Sequence, residues 1–199
     1  MMRILALLIL ILTPISSVAA TLMVLGDSLS AGYQMRADQS WPRLMEPMLN
    51  DNGLKIEVVN ASISGDTTGN GLARLPKLLK QYAPDYVIIE LGANDGLRGF
   101  PPAAIEKNLR AMIALIKDSG GEPLLMQIRI PPNYGKRYTS QFEAIYVRLS
   151  KDYSLPLLPF FLEQVILRDH WMMDDGLHPK AAAQPWIAQY MTNAITPFL

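Results

Sequence analysis

The sequence predicts an α/β protein, a three-layer α/β/α sandwich with a central, mostly parallel sheet. Short apolar runs alternate with helical stretches from Thr21 onward. The runs are continuously apolar, as is typical of parallel strands buried on both faces. The chain has 199 residues, half of them hydrophobic, and neither a repeat nor a linker interrupts residues 21–199. We therefore expect a single domain over 21–199 with a substantial core.

The strands are predicted from apolar runs that end in small or polar residues. The clearest is Tyr-Val-Ile-Ile-Glu-Leu at 86–91, while the last run is short and interrupted by prolines. In chain order, the five predicted strands are 21–25, 56–59, 86–91, 124–130 and 155–160.

The helices are predicted from apolar residues that recur every three or four positions. Leu72, Leu75, Leu78 and Leu79 have this spacing, and the Gly-Gly pair at 120–121 is a stop signal. The predicted helices are 41–50, 72–82, 103–117, 141–153 and 181–195.

The first twenty residues have the pattern of a secretory signal peptide. Arg3 supplies a positive charge, residues 4–12 are an unbroken apolar run, and small residues lead up to Ala20. A membrane anchor would need about 20 apolar residues, and Pro14 interrupts the run well before that length. A lipoprotein anchor would need a cysteine. We therefore expect cleavage near Ala20 and a protein exported to the periplasm or beyond, with no stable membrane anchor.

Composition excludes several classes of function. The 18 basic and 18 acidic side chains balance, which argues against a nucleic-acid partner. With no cysteine there is no disulfide, thiolate metal site or cysteine nucleophile. The only histidines, His170 and His178, are too few for a zinc site built on several imidazoles. A near-neutral chain gives no argument for an interface, so we expect a monomer that acts on a small molecule.

Polar clusters follow the predicted strands. They are 26–30, 60–66 and 92–96, with a further cluster at 174–179 near the carboxyl terminus. Ligands of parallel α/β sheets bind beyond the carboxyl ends of the strands. The four clusters are therefore expected to form one site.

Acyl transfer to water is the chemistry that these clusters suggest. A serine such as Ser28 needs a base to take its proton, and His178 is the better placed imidazole. A carboxylate must orient that imidazole, and spacing barely separates Asp175 from Asp174. Ser28 lies where a strand gives way to a helix, so nearby amides and the helix amino terminus would favour negative charge.

Two further residues are candidate donors to an oxyanion: the Gly65 amide and the Asn94 side chain. Each candidate also has a structural interpretation. Ser28 is a common helix-cap residue, the 175–179 segment reads equally as a surface turn, Gly65 supplies positive φ and Asn94 caps the following turn. We interpret His170 as structural, and Asp27 as a residue that organises its loop with its side chain directed away from Ser28.

The four motifs together are more specific than any one of them alone. Gly-Asp-Ser-Leu-Ser at 26–30, then a glycine, then Gly-x-Asn-Asp at 92–95, then Asp-x-x-His at 175–178 resembles the SGNH (GDSL-type) hydrolases. Longer matches at 25–33, 59–67, 92–100 and 125–129 are similar to the bacterial periplasmic thioesterase I/arylesterase/lysophospholipase branch. The resemblance covers essentially all of the chain from residue 21.

The resemblance implies a flavodoxin-like fold without a metal or organic cofactor. Carried onto this chain, it implies that Ser28 is the nucleophile, His178 the base and Asp175, rather than Asp174, the orienting acid. It also implies an oxyanion hole, which would consist of the Ser28 and Gly65 amides and the Asn94 side chain.

The implied substrates are acyl thioesters, aryl esters and lysophospholipids. A carbohydrate O-deacetylase with the same triad is the alternative enzyme, and a non-catalytic lipid- or glycan-binding protein is the alternative from another class. Two loops that follow the third and fourth strands are expected to line an acyl groove, through Leu97, Phe100, Ile130, Pro131, Pro132 and Tyr134.

Overall fold

The computed structural model describes residues 19–199, so the predicted signal peptide lies almost entirely outside the described residues. One sheet of five strands forms the centre, in the order β2-β1-β3-β4-β5, and every neighbouring pair is parallel. This order is that of the flavodoxin-like folds. The strands are β1 (Ala20–Gly26), β2 (Ile56–Asn60), β3 (Tyr86–Glu90), β4 (Glu122–Met126) and β5 (Leu157–Leu158).

Helices cover both faces of the sheet, and the predicted three-layer sandwich is confirmed. Two helices pack together in one layer, and three pack in sequence in the other. The reversal of strand order at β1 accounts for this division, because right-handed crossovers on either side of β1 place their helices on opposite faces. The first layer holds α2 (Trp41–Asp51) and α8 (Gln184–Ile195), and the second holds α3 (Thr68–Tyr82), α5 (Pro102–Asp118) and α6 (Lys136–Tyr153).

Three short helices lie at the carboxyl edge of the sheet: α1 (Ser28–Ala31), α4 (Ala93–Leu97) and α7 (Leu162–Val165). The first follows β1 and the second follows β3. None of the helices among residues 19–199 is long and apolar enough to cross a membrane.

Several boundaries differ from those that the sequence predicts. The helix expected from residue 72 begins at Thr68, because the Thr67 hydroxyl accepts a hydrogen bond from the Asn70 amide and caps it. The last helix becomes α-helical only at Gln184, after a 3₁₀ turn. β4 ends at Met126, so residues 127–130, in which Gln127 and Arg129 alternate with two isoleucines, form a loop rather than the end of the strand.

The core is densest around β1 and β3, the two strands at the centre of the sheet. Residues 22–25 and 87–89 are completely inaccessible to solvent. Such strands have no polar face, which explains why their sequences are continuously apolar.

Truncation of Ile88, which is fully buried in β3, tests this packing. We expect Ile88→Ala to lower the free energy of unfolding by about 2–5 kcal/mol, because a cavity remains in a core that relaxes only partly. Val147→Ala, at an exposed position on α6, is the control and is expected to change it by less than about 0.5 kcal/mol. Urea titration followed by circular dichroism measures both, and equal effects would contradict the assignment.

Candidate active site

Ser28 is the first residue of α1, directly after β1. The preceding residue, Asp27, caps this helix, because its Oδ1 accepts a hydrogen bond of 3.0 Å from the Leu29 amide. Ser28 is therefore not the capping residue, and its hydroxyl is directed elsewhere. Because α1 has only four residues, its amino terminus supplies the field of a single helical turn.

The Ser28 hydroxyl is hydrogen-bonded to His178, from the opposite end of the chain. Ser28 Oγ lies 2.8 Å from His178 Nε2, although 150 residues separate them. His178 Nδ1 in turn lies 2.7 Å from Asp175 Oδ2. The carboxylate that contacts the imidazole is thus that of Asp175 rather than that of Asp174.

A tight turn brings Asp175 back onto His178. Gly176 has a φ of +66°, a left-handed conformation that side chains disfavour. The other carboxylate oxygen, Oδ1, accepts hydrogen bonds from the Leu177 amide at 2.9 Å and the His178 amide at 3.0 Å. The turn therefore uses both carboxylate oxygens.

Backbone contacts join the two ends of the segment that carries Asp175 and His178. Met172 and Pro179 form an antiparallel bridge, and the Met173 amide donates to the His178 carbonyl at 2.8 Å. Beside it, the Arg168 guanidinium packs against two adjacent indoles, 4.1 Å from the Trp171 ring centre and 4.9 Å from that of Trp186. These contacts hold an otherwise exposed segment in one position.

Burial acts on the Asp175 carboxyl, but hydrogen bonding decides its pKa. Burial alone would raise this pKa, while hydrogen bonds from the His178 ring and from the Leu177 and His178 amides together lower it to about 2. The group is accordingly an anion throughout the range in which proteins function. An anion at this position stabilises a positive charge on the imidazole.

The two predicted oxyanion donors occupy different environments. Gly65 is exposed, has a φ of +84° and accepts a hydrogen bond of 3.2 Å from Arg98 through its carbonyl. Asn94 lies on the cavity wall with Ser28, and its Nδ2 donates to Asp27 Oδ2 and to the Asp66 carbonyl, each at 3.0 Å. Both Asn94 amide protons are thus engaged, so donation to an oxyanion requires that one of them be shared.

Two buried carboxyl groups lie beneath Ser28. Asp27 organises its loop, as expected, and it also receives the Asn94 amide. Glu90 was not predicted as part of the site, yet its Oε2 accepts hydrogen bonds from the Ser30 hydroxyl at 2.7 Å and the Asp27 amide at 3.2 Å. Its Oε1 is buried without a partner. A glutamate that ends an otherwise apolar strand is the sequence signal that marks it.

Burial raises the pKa values of both carboxyl groups. For Asp27 burial is the main cause, and it raises the pKa to about 7. For Glu90 burial and then the charge of Asp27 raise the pKa well above its ordinary value. The pair therefore favours at least one protonated carboxyl at neutral pH.

A largely apolar cavity of about 290 Å³ opens beside Ser28 and His178. Of the residues expected to line a groove, Leu97, Ile130, Pro131 and Pro132 lie on its wall. Phe100 and Tyr134 are not among the wall residues, and both side chains are exposed. The Tyr134 hydroxyl donates to the Leu97 carbonyl, and the Phe100 carbonyl accepts from the Tyr138 hydroxyl. The wall also includes residues that were not predicted, chiefly Phe160, Leu162, Ile166 and Leu177.

The new wall residues lie mostly after β5. One sequence signal marks them: Ile166 and its neighbour Leu167 are apolar residues in a connecting segment. In the structure both side chains are exposed. The structure contains no group of three or more His, Asp or Glu side chains arranged to hold a metal ion within residues 19–199.

A hydrogen-bonded Ser–His–Asp chain at the carboxyl edge of a parallel sheet is the geometry of an α/β serine hydrolase. The chain belongs to the GDSL-like lipase/acylhydrolase family, whose model matches residues 24–184. It is 58% identical to an arylesterase of Vibrio mimicus, over 94% of each chain. It is 54% identical to thioesterase 1/protease 1/lysophospholipase L1 of Escherichia coli K12, over 95% of this chain and 89% of that protein.

Solved structures agree with this membership. The esterase EstA from Pseudoalteromonas, in a structure inhibited by monoethylphosphonate, superposes with a TM-score of 0.87 at 40% identity. The match covers 89% of this chain and 97% of that one. The predicted family is thus confirmed.

The burial of Glu90 predicts an unusual pH dependence of stability. The carboxyl has an ordinary pKa of 4.5 when exposed and a higher one in the fold. Above pH 4.5 the unfolded chain therefore releases a proton that the folded chain keeps, and this favours unfolding increasingly as pH rises. We therefore expect the free energy of unfolding of Glu90→Gln, taken relative to that of the wild type, to be higher at pH 8 than at pH 4.

Urea titrations of both proteins at pH 4 and pH 8 test this. The readout is the change in the mutational effect between the two pH values, because the cost of burying the new amide is the same at both. Glu57→Gln, at an exposed position on β2, is the control. An effect of Glu90→Gln that does not vary with pH would show that Glu90 is not a buried, protonated acid.

Proposed function

We propose that this protein is a serine esterase and thioesterase that hydrolyses acyl esters and thioesters, including aryl esters, acyl-CoA and lysophospholipids. The observation that carries the proposal is the hydrogen-bonded chain Ser28–His178–Asp175, which opens onto an apolar cavity. The arylesterase and thioesterase relatives support the same reaction class.

The reaction proceeds through an acyl-enzyme. Ser28 Oγ attacks the acyl carbonyl while its proton moves to His178 Nε2. His178 then gives this proton to the departing thiol or alcohol. A water molecule, deprotonated by the same imidazole, attacks the acyl-serine and releases the acid. Asp175, as an anion, keeps Nδ1 protonated and stabilises the imidazolium in both halves.

The oxyanion is stabilised by the Ser28 and Gly65 amides and the Asn94 side chain. Donors of this kind typically contribute about 10²–10³-fold each to the rate. For Asn94 we propose that the proton now directed at Asp27 is shared with the oxyanion as charge develops. The raised pKa of Asp27 supports this, because a protonated Asp27 competes less strongly for that proton.

The cavity supports an acyl chain as its occupant. Its wall is formed mainly by aliphatic and proline side chains, among them Leu97, Ile130 and Pro131. Arg129 and Glu163 also reach it, but they form an ion pair of 2.9 Å with each other. A sugar would require more polar partners than this wall offers, which makes the carbohydrate O-deacetylase the less supported alternative. A non-catalytic lipid- or glycan-binding protein has no use for an aligned base.

We further propose that the protein is exported as a single domain after cleavage near Ala20 and acts as a monomer. The leader pattern at residues 1–18 lies outside the described residues. β1 begins at Ala20, whose amide donates to the Lys55 carbonyl at 2.8 Å. Cleavage after Ala20 would remove only this first strand residue and leave Thr21–Gly26 paired with both neighbours.

Replacement of the nucleophile is the first test. We expect Ser28→Ala to lower kcat/KM by about 10³-fold or more on p-nitrophenyl esters and acyl-CoA thioesters of increasing chain length. Ser140→Ala, at an exposed position on α6, is the matched control and should retain full activity. Activity in Ser28→Ala equal to that of wild type would contradict the proposal. A preference for acetyl over longer chains would favour the deacetylase.

The two adjacent aspartates supply an internal control for the orienting acid. We expect Asp175→Asn to lower kcat by about 10²–10⁴-fold, because the amide cannot hold the imidazole tautomer as the carboxylate does. Asp174→Asn should remain within about 3-fold of wild type. The pKa of Asp175, about 2, also means that this carboxylate stays ionised at pH 5–8. Steady-state kinetics across that range measure both variants, and equal losses would refute the assignment.

A further inference from the structure

The ring of Tyr33 stacks on the imidazole of His178. The ring centres are 4.2 Å apart and the planes are inclined by 28°. His178 lines the cavity, whereas Tyr33 does not. Tyr33 therefore contacts the imidazole without forming part of the surface that a substrate in the cavity would meet.

An uncommon backbone conformation places this ring. Gly32, which ends α1, has a φ of +77°, and Gln34 on the other side has a φ of +54°. Gln34 is one of three non-glycine residues with positive φ among residues 19–199. Left-handed conformations are unfavourable for such residues and persist where the surrounding structure imposes them, often at functional sites. The two left-handed residues on either side of Tyr33, Gly32 and Gln34, turn the chain sharply at this position.

The hydrogen bonds of His178 leave one motion of its ring unrestrained. Ser28 Oγ and Asp175 Oδ2 contact the two ring nitrogens. Contacts at these two atoms resist displacement within the ring plane, but they do not resist tilting about the line between them. A flat ring packed against the face of the imidazole opposes that tilt.

We propose that Tyr33 is a positioning residue for the reaction: its ring holds the His178 imidazole in line with Ser28, and its π face stabilises the imidazolium. The charge appears when the proton of Ser28 Oγ moves to Nε2 as the bond from Oγ to the acyl carbon forms, and it disappears when the proton passes to the leaving group. An aromatic face attracts a cation more than a neutral ring, so the stack stabilises the transition state over the resting state. The inference rests on the proposed hydrolysis through Ser28.

Three substitutions of Tyr33 separate the contribution of its ring from that of its hydroxyl group. Tyr33→Phe keeps the stacking face, whereas Tyr33→Leu and Tyr33→Gln remove it with different polarity, so that a folding defect in one does not decide the result. We expect both ring-free variants to lower kcat on a p-nitrophenyl ester about 5- to 20-fold with KM within about 2-fold. Tyr33→Phe should stay within about 2-fold of wild type.

A double-mutant cycle then tests whether Tyr33 acts through His178. In a His178→Ala background, which lacks the imidazole, we expect Tyr33→Leu to cause no further loss of the residual activity. A residue that only supports the fold would reduce activity in both backgrounds. The proposal is overturned if the ring-free variants match wild type, if Tyr33→Phe loses as much as Tyr33→Leu, or if the effect persists without the imidazole.

Ser28→Ala, measured in the same series, separates this inference from the proposed function. If Ser28→Ala is inactive while Tyr33→Leu is fully active, hydrolysis through Ser28 stands and the role of Tyr33 is refuted. If Ser28→Ala is as active as wild type, both fall.

Discussion

The fully buried carboxyl group of Glu90 joins the two central strands at the point where the site begins. Its Oε2 accepts hydrogen bonds from the Asp27 amide and the Ser30 hydroxyl, on either side of Ser28. A Cβ on Gly26 would lie only 2.6 Å from the same oxygen. The turn that carries Ser28, the proposed nucleophile, is thus defined by a contact between the ends of β1 and β3. The position of Ser28 consequently depends on the sheet being formed.

This arrangement favours function over stability. Burying carboxyl groups without a cation costs free energy, and the fold reduces that cost by favouring protonation. Asp27, whose pKa is raised to about 7 mainly by burial, links this pair to Asn94. The protonation state of Asp27 therefore affects the Asn94 side chain, which is proposed to donate a hydrogen bond to the oxyanion. A hydrophobic residue in place of Glu90 would avoid the cost but would leave the Asp27 amide and Ser30 hydroxyl without their acceptor.

The sequence predicts most of the fold because its strands are continuously apolar and its helices are periodic. It predicts the loop at 127–130 as strand, since two isoleucines alternating with Gln127 and Arg129 have the same pattern in a partly buried loop as in a strand. Spacing alone could not separate Asp174 from Asp175, because the choice depends on the left-handed turn at Gly176. The sequence could not show that Phe100 lies outside the cavity, because an apolar loop residue can either line a cavity or be exposed elsewhere on the surface. Glu90 was missed because polarity in a strand ordinarily indicates exposure.

The two halves of the site have different sources of rigidity. Ser28 follows a central strand and is fixed by buried hydrogen bonds, whereas His178 lies on a segment with exposed residues at 174–177. Such a segment contributes little apolar burial of its own, so local opening is less costly there than in the sheet. Its order depends on a few specific contacts: the hydrogen bonds within the Asp175 turn, the Arg168 guanidinium against two indoles, and the Tyr33 ring on the imidazole itself. A misplacement of about 1 Å can cost on the order of 10²-fold in rate. If His178 is the base as proposed, these contacts therefore matter more for catalysis than for the stability of the fold.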